Sequence, residues 1–358
     1  MKPIVVGLLG ITHPHASARV RALRTINGVE VVAAADADPR LKYFADKYDV
    51  EARAIEDILD DNQINAIMVH SMSRDMVPHA LRALSAGKSV VVEKPGGGTV
   101  TDLEELLKAK TNAKREQVVQ VGYNVRLAES IRRTKELIEA GTIGEVVSVS
   151  ARGAGKVGEH VSQHLNQPAD MGGGLWILGC HMLDVMVKVF GVPDTINARV
   201  RKSAKLSDET SREDSAATIL NYPDFSVSYS FDSHDDLEWF ESSRLTVYGT
   251  AGMIEAGILP QQLRVYLKEG RQGWPAGWTE WTESYFTQPF ARTEANKFSE
   301  LPELENLSNF YTEMQGWVDS MRFGTPNVAP VEDALAVARI VEACYHSSDA
   351  QGASVHIA

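Results

Sequence analysis

Residues 89–97 read SVVVEKPGG. A short β-branched run, Ser89 to Val92, passes straight into Glu93, Lys94 and Pro95. Four such residues bounded by turn formers predict a fully buried strand. In an open α/β sheet ligands bind at the carboxyl ends of the strands, so Lys94 is placed where a ligand would lie. Pro95 fixes the exit of the chain and biases Lys94 away from the helical region.

The surroundings supply the sheet. Runs of the same kind occur at 4–9, 29–35, 66–69 and 117–121, with helical-period segments between them. Strands alternating with helices predict a parallel, doubly wound α/β sheet, the shape of a nucleotide-binding domain. After Gly122 the texture changes. A helix is predicted over about 128–140, stopped by Gly141, and a strand over 145–152. Residues 194–267 read as successive strands with little helix between them, including 216–221 and 225–231 around Tyr222-Pro223-Asp224. Strands in direct succession predict a mostly antiparallel sheet. Residues 268–301, with Trp274, Trp278 and Trp281, read as an irregular loop. Helices at about 302–322 and 331–348 close the chain. The expected domains are 1–122 and 123–358.

A chain of 358 residues exceeds what one core usually serves, which agrees with two domains. Acidic residues outnumber basic ones by 48 to 36, and a net charge of -12 argues against nucleic acid or an anionic membrane as partner. Small molecules are the expected ligands. Cys180 and Cys344 stand alone, so neither a disulfide framework nor a zinc site is indicated, and no metal is expected. The apolar opening is too short for a signal sequence, and no stretch is long enough to span a membrane, so a cytoplasmic location is expected.

At the first strand the chain reads VGLLGITHPHA, in which Gly7 and Gly10 lead into a predicted helix. A glycine turn of this kind lets backbone N–H groups approach a pyrophosphate. Against Gly-x-Gly-x-x-Gly only the first glycine survives: Thr12 and His15 stand at the other two positions. Thr12, His13 and Pro14 are still candidates to line a cofactor, and an ordinary strand-to-helix turn is the competing reading. Asp36, at the end of the second strand, is placed to accept the ribose hydroxyls of NAD and to repel a 2′-phosphate. Arg40 leaves NADP open, and Asp38 is the better candidate for a helix cap.

Residues 172–184 read GGGLWILGCHMLD. On a helix starting near Leu175, the residues Leu175, Leu178, Met182, Val185 and Val189 form an apolar stripe. Ile177, His181, Asp184 and Lys188 form a second stripe about a quarter-turn round, which predicts His181 beside the core rather than in it. The glycines would leave room for a nicotinamide or substrate. His160 and His164 lie four apart, a metal spacing on a helix, but no third ligand is evident and nearby glycines read as loop. Substrate recognition and plain surface exposure are both open for them.

These pieces, with GYNVR at 122–126, ELIEAGTIGEVVSV at 136–149 and GTPNVAPVEDA followed by VEACYHSS near the end, resemble the Gfo/Idh/MocA family, the glucose-fructose oxidoreductase and inositol dehydrogenase type. The resemblance implies an N-terminal Rossmann domain binding NAD or NADP, and a C-terminal α/β domain whose open sheet often pairs subunits into a homodimer or homotetramer. It implies a sugar or polyol substrate between the domains. Ser71, Met72, Glu93, Lys94 and Tyr123 then fall against the cofactor, and Lys94 and His181 inherit the catalytic roles. Arg126, His160, His164 and Asp184 become candidate substrate contacts. The family's aspartate four residues before the histidine is Ile177 here, with Asp170 and Glu159 as candidate replacements. An NAD(P)-dependent dehydrogenase is the leading expectation. A redox-assisted glycoside-cleaving enzyme and a non-catalytic dinucleotide sensor are the alternatives.

Overall fold

The computed structural model describes residues 3–113, 117–155, 172–202, 212–233, 242–282, 292–293, 303–304 and 308–357. By compactness the chain divides into two units, Met1–Asn124 with Phe290–Leu335, and Val125–Pro289 with Ala336–Ala358.

The first unit is built on β1 (Ile4–Leu9), α1 (Pro14–Arg24), β2 (Val29–Ala35), α2 (Leu41–Lys47), β3 (Glu51–Ala52), α3 (Ile55–Asp60), β4 (Ala66–Val69), α4 (Ser73–Ser85), β5 (Ser89–Val92), α5 (Val100–Asn112) and β6 (Val119–Val121). The six strands pair in the order β3-β2-β1-β4-β5-β6, all parallel. Every residue of β4 and β5 is buried, as a sheet covered on both faces requires. Helix α5 opens with a capping box between Thr99 and Asp102, which ends the Gly96–Gly98 turn after Lys94.

The second unit opens with a short 3-10 turn (Val125–Leu127) and α6 (Glu129–Glu139), followed by β7 (Val146–Ala154). A π-helical segment, Leu175–Gly179, runs directly into α7 (Cys180–Phe190). Strands β8 (Thr195–Arg201), β9 (Ser215–Asn221), β10 (Ser226–Asp232), β11 (Arg244–Gly249), β12 (Gly252–Gly257), β13 (Gln262–Leu267) and β14 (Gly277–Thr282) follow. The short pair β15 (Arg292–Thr293) and β16 (Glu303–Leu304) and helix α8 (Ser308–Phe323) return to the first unit, and α9 (Val331–Asp349) and β17 (Val355–His356) end the chain. The second sheet runs β14-β13-β12-β11-β7-β10-β9-β8-β17, antiparallel except for the β7–β10 pair. The expected α/β fold, one parallel sheet and one mostly antiparallel sheet, is present.

Three expectations need correction. The stretch 268–301 is not all loop: Trp278 and Trp281 lie on β14, paired to β13 at the edge of the sheet. The division at 122/123 leaves out α8, which packs on α1 because its Glu313 pairs with the buried Arg19. Residues 327–330 also border β6, where Asn327 donates to the Val119 carbonyl (2.6 Å) and Val121 N–H to the Ala329 carbonyl (3.0 Å). They thereby satisfy an edge that would otherwise expose unpaired backbone groups. Finally, the helix after the glycines begins with a π turn and buries the second stripe as far as Asp184, leaving Lys188 half-buried. Ile177 and His181 are 1% exposed and Asp184 is fully buried.

Candidate functional site

In the first unit, the segments that follow β1, β2, β4, β5 and β6 lie at the carboxyl ends of parallel strands. Gly10, after β1, has φ +92°, and a Cβ there would sit 2.4 Å from the backbone carbonyl group of His70. Only glycine allows both that conformation and that approach. Gly7 is different: a Cβ would meet the Ile58 side chain at 2.5 Å, so this glycine serves packing against α3 rather than phosphate approach. His13 is the N-cap of α1 and its Nδ1 accepts the His15 N–H at 3.2 Å, while Pro14 takes the first helical position. Thr12 is half-buried beside them.

Asp36 follows β2, with one carboxylate oxygen accepting the Ile11 N–H (2.7 Å) and the other the Asp38 N–H (2.9 Å). Each oxygen keeps a second lone pair for a ribose hydroxyl. Arg40 donates through Nε and Nη2 to the two oxygens of Asp38, at 2.8 and 2.7 Å. The cation that left NADP open is thereby matched by its own carboxylate. Asp38 also accepts the Arg40 N–H at 2.8 Å, but it is not the helix cap expected of it: Arg40 is the N-cap residue of α2, and no side chain caps that helix. Ser71, after β4, shares a 2.6 Å hydrogen bond with His79, and Met72 is the N-cap residue of α4. The Gly10 cradle and the carboxylate after β2 fit a dinucleotide, although the His13 cap already uses one of the helix N-terminal N–H groups.

Beneath these turns lies a charge network that the sequence reading missed. Arg19 is fully buried. Its Nε and Nη2 donate to the two oxygens of Glu313 at 2.8 and 2.9 Å, its Nη1 pairs with Glu93, and Nη2 also donates to the Gly122 carbonyl at 3.1 Å. His70 Nε2 lies 2.8 Å from Arg19 Nη1. His15 Nδ1 lies 2.9 Å from Glu93 Oε1 and His13 Nε2 3.9 Å from the same oxygen. Burial opposes the charge on Glu93, but Arg19, then His15 and His13, outweigh it and hold the carboxyl well below its ordinary range. Burial pushes the imidazoles the other way: His13 and His70 fall well below 6.5, and His15 to about 4 despite Glu93. Glu313 is raised by burial, which Arg19 only partly offsets. At neutral pH the network is therefore ionised at Arg19 and Glu93 with three neutral rings. Lys94 and Tyr123, 0% and 1% exposed, follow β5 and β6 at the same end of the sheet.

No local pattern marks Glu313, nearly 300 residues from its partner. The alternation His13-x-His15 just before Arg19 is the one signal that could have pointed to the cluster.

In the second unit, Arg126 and Asp184, expected as substrate contacts, are both fully buried and paired with each other, with Arg126 Nε to Asp184 Oδ2 at 2.8 Å. His181 lies one turn before Asp184 on α7 and is 1% exposed. The glycines do not leave an open space. A Cβ on Gly173 would lie 1.8 Å from a Glu213 carboxylate oxygen, and one on Gly174 would meet the Phe231 ring at 2.9 Å. Glu213 accepts the Leu175 N–H (2.7 Å) and the Tyr345 hydroxyl (3.1 Å). Its carboxyl is raised to about 7, chiefly by burial, with Asp214 adding and the Leu175, Tyr345 and Arg212 contacts opposing. Tyr229 donates to the Gly179 carbonyl at 2.9 Å, across the π segment. His160, His164, Glu159 and Asp170 lie outside the described residues.

Comparison with known proteins gives two family matches. Residues 1–123 match the model of an oxidoreductase family with an NAD-binding Rossmann fold, and residues 131–255 match the GFO/IDH/MocA C-terminal domain. Inositol 2-dehydrogenase of Salmonella paratyphi B is 30% identical over 152 residues, 41% of this chain and 43% of that enzyme. The chain thus matches less than half the length of that relative. Trans-1,2-dihydrobenzene-1,2-diol dehydrogenase of Bos taurus is 28% identical over 236 residues, 65% of this chain and 67% of the bovine enzyme. Among solved structures, an oxidoreductase of Agrobacterium radiobacter in complex with NAD+, L-tartaric acid and magnesium superposes with a TM-score of 0.81 at 20% identity, covering 99% of both chains.

Proposed function

Because the chain belongs to the Gfo/Idh/MocA family of oxidoreductases, we propose that it is an NAD-dependent dehydrogenase or reductase acting on a CH–OH group of a sugar, cyclitol or related polyol. The observation that carries this reading is Lys94, buried at the carboxyl end of β5 immediately after a carboxylate locked into the Arg19 network. Bound NAD supplies the hydride acceptor. Gly10, Thr12, His13, Asp36, Ser71, Met72 and Tyr123 are the residues assigned to hold it. Lys94 stabilises the developing alkoxide and lowers the pKa of the substrate hydroxyl. His181 takes that hydroxyl proton, and returns it in the reverse direction. The Arg126–Asp184 pair, which anchors the turn of α7 after His181, has the role of holding the histidine in place rather than touching substrate. Dimers or tetramers form through the exposed face of the second unit's sheet.

Titration with NAD and NADP tests the cofactor assignment. NAD binds more tightly, and Asp36→Ala reduces the preference. A tenfold preference for NADP, about 1.4 kcal/mol, contradicts the role of Asp36. A scan of polyols for NAD reduction then identifies the substrate. On it His181→Ala lowers turnover by about 10²–10⁴-fold with NAD affinity nearly unchanged. Unchanged turnover removes His181 from the mechanism.

A further inference from the structure

His15 stands at a position where dinucleotide binding asks for a small residue, and it takes no part in the proposed cofactor contacts. We propose that His13, His15 and Glu93 form a site for a divalent transition-metal ion, of which zinc is the natural probe.

The three ligand atoms, His13 Nε2, His15 Nδ1 and a Glu93 oxygen, all lie within 4.8 Å of one another. Ligand atoms about 2.0–2.1 Å from a tetrahedral zinc are separated by roughly 3.3 Å. The 2.9 and 3.9 Å separations at Glu93 Oε1 bracket that value. The residues come from two elements, the α1 N-terminus and the β5 exit, and are 7%, 1% and 0% exposed. Two imidazoles and one carboxylate select zinc and its first-row neighbours over calcium or magnesium, which prefer oxygen. Three protein ligands leave a fourth position open for water or a ligand oxygen.

On binding, His15 moves its proton from Nδ1 to Nε2. The His13 proton moves to Nδ1, which gives up the His15 N–H bond. Arg19 stays on the other Glu93 oxygen and fixes the carboxylate's orientation, as outer partners of metal ligands do. Its positive charge and that of Lys94 work against the cation, which makes the affinity itself a measurement of interest.

The test is a zinc titration of the full, metal-stripped chain against a competing chromophoric chelator, with cobalt(II) as a spectroscopic substitute. One equivalent binds to the unsubstituted chain, and affinity falls more than about 100-fold in the His13→Ala/His15→Ala double variant, beyond the loss that outer partners alone cause. The exposed-site controls His346→Ala and His356→Ala bind as the unsubstituted chain does. If the double variant does not fold, the single His13→Asn variant is used, and the cobalt spectrum of the unsubstituted chain decides by itself. Visible bands without thiolate-to-metal charge transfer support the site. No bands, thiolate bands from Cys180 or Cys344, or equal zinc affinity in the unsubstituted chain and the histidine variant overturn it.

Discussion

Replacing Glu213 by Gln gives a pH-dependent change in stability whose sign and size follow from its place in the second unit. The carboxyl sits under Gly173 at the start of the helical segment that carries His181, accepting the Leu175 N–H and the Tyr345 hydroxyl. Burial raises it from an ordinary 4.5 to about 7. Between those two values the folded chain holds a proton that the unfolded chain has released. The stabilisation linked to this group is therefore fully present below pH 4.5 and is lost as pH rises through 7. A rise from 4.5 to about 7 corresponds to about 3 kcal/mol. Gln keeps an acceptor for Leu175 and Tyr345 but cannot ionise, so the variant does not suffer the loss. Hydrogen exchange of the amides in residues 175–190 reads the opening of this region directly, and comparing the two proteins at each pH cancels the intrinsic rate. Relative to the unsubstituted chain, protection in Glu213→Gln rises between pH 4.5 and 8 by about 100- to 300-fold, the equivalent of that energy. A protection ratio that stays constant over this interval refutes the reasoning and places the folded carboxyl near its ordinary range.

Gly10→Ala forces a Cβ to within 2.4 Å of the His70 backbone at φ +92°, so NAD affinity measured by titration falls at least about tenfold, with a stability loss larger than the ~1 kcal/mol that a compatible Gly→Ala replacement gains. Glu313→Leu leaves Arg19 half-paired in the core and destabilises the first unit by about 3–5 kcal/mol, visible as a lowered urea midpoint. A midpoint within error of the unsubstituted chain would mean that the pair is not formed in solution. Light scattering at micromolar concentration gives the mass of a dimer or tetramer, and Tyr248→Glu together with Trp278→Glu shifts it toward the monomer. These two residues belong to a cross-strand row, Tyr248, Met253, Tyr266 and Trp278, on β11 to β14, and three of its members are exposed aromatics. A monomeric unsubstituted chain contradicts the assembly.

That row lies where alternation alone does not place it. The outer face of β9 and β10 carries Ala217, Ile219, Ser226, Ser228 and Ser230, and the exposed aromatic row begins at β11, two strands from β10 in the sheet. Period-2 alternation says that a strand has two faces, but neither which strand lies beside which nor what covers them. The strand order β11-β7-β10, which inserts the sheet's one parallel pair, is set by contacts between residues about 80 to 100 positions apart.

The amino-acid sequence by itself determined what depends on local chemistry. The bounds of β1, β2, β4 and β5, the glycine at the β1 turn, the carboxylate after β2 and the lysine after β5 all follow from short-range burial patterns and turn formers. The tertiary structure decided which charges meet. Glu93 was read as a cofactor contact, and only folding brings Arg19, His15, His70 and the distant Glu313 around it. His181 and Asp184 stood on what read as a half-exposed stripe, because helical periodicity cannot tell a helix covered on one side from one covered all round. The three glycines before them read as open space for a ligand, yet Gly173 makes room for Glu213, a carboxylate with no sequence pattern to announce it. Pairings of this kind join residues far apart in the chain, and the desolvation that makes them necessary exists only once the core has closed.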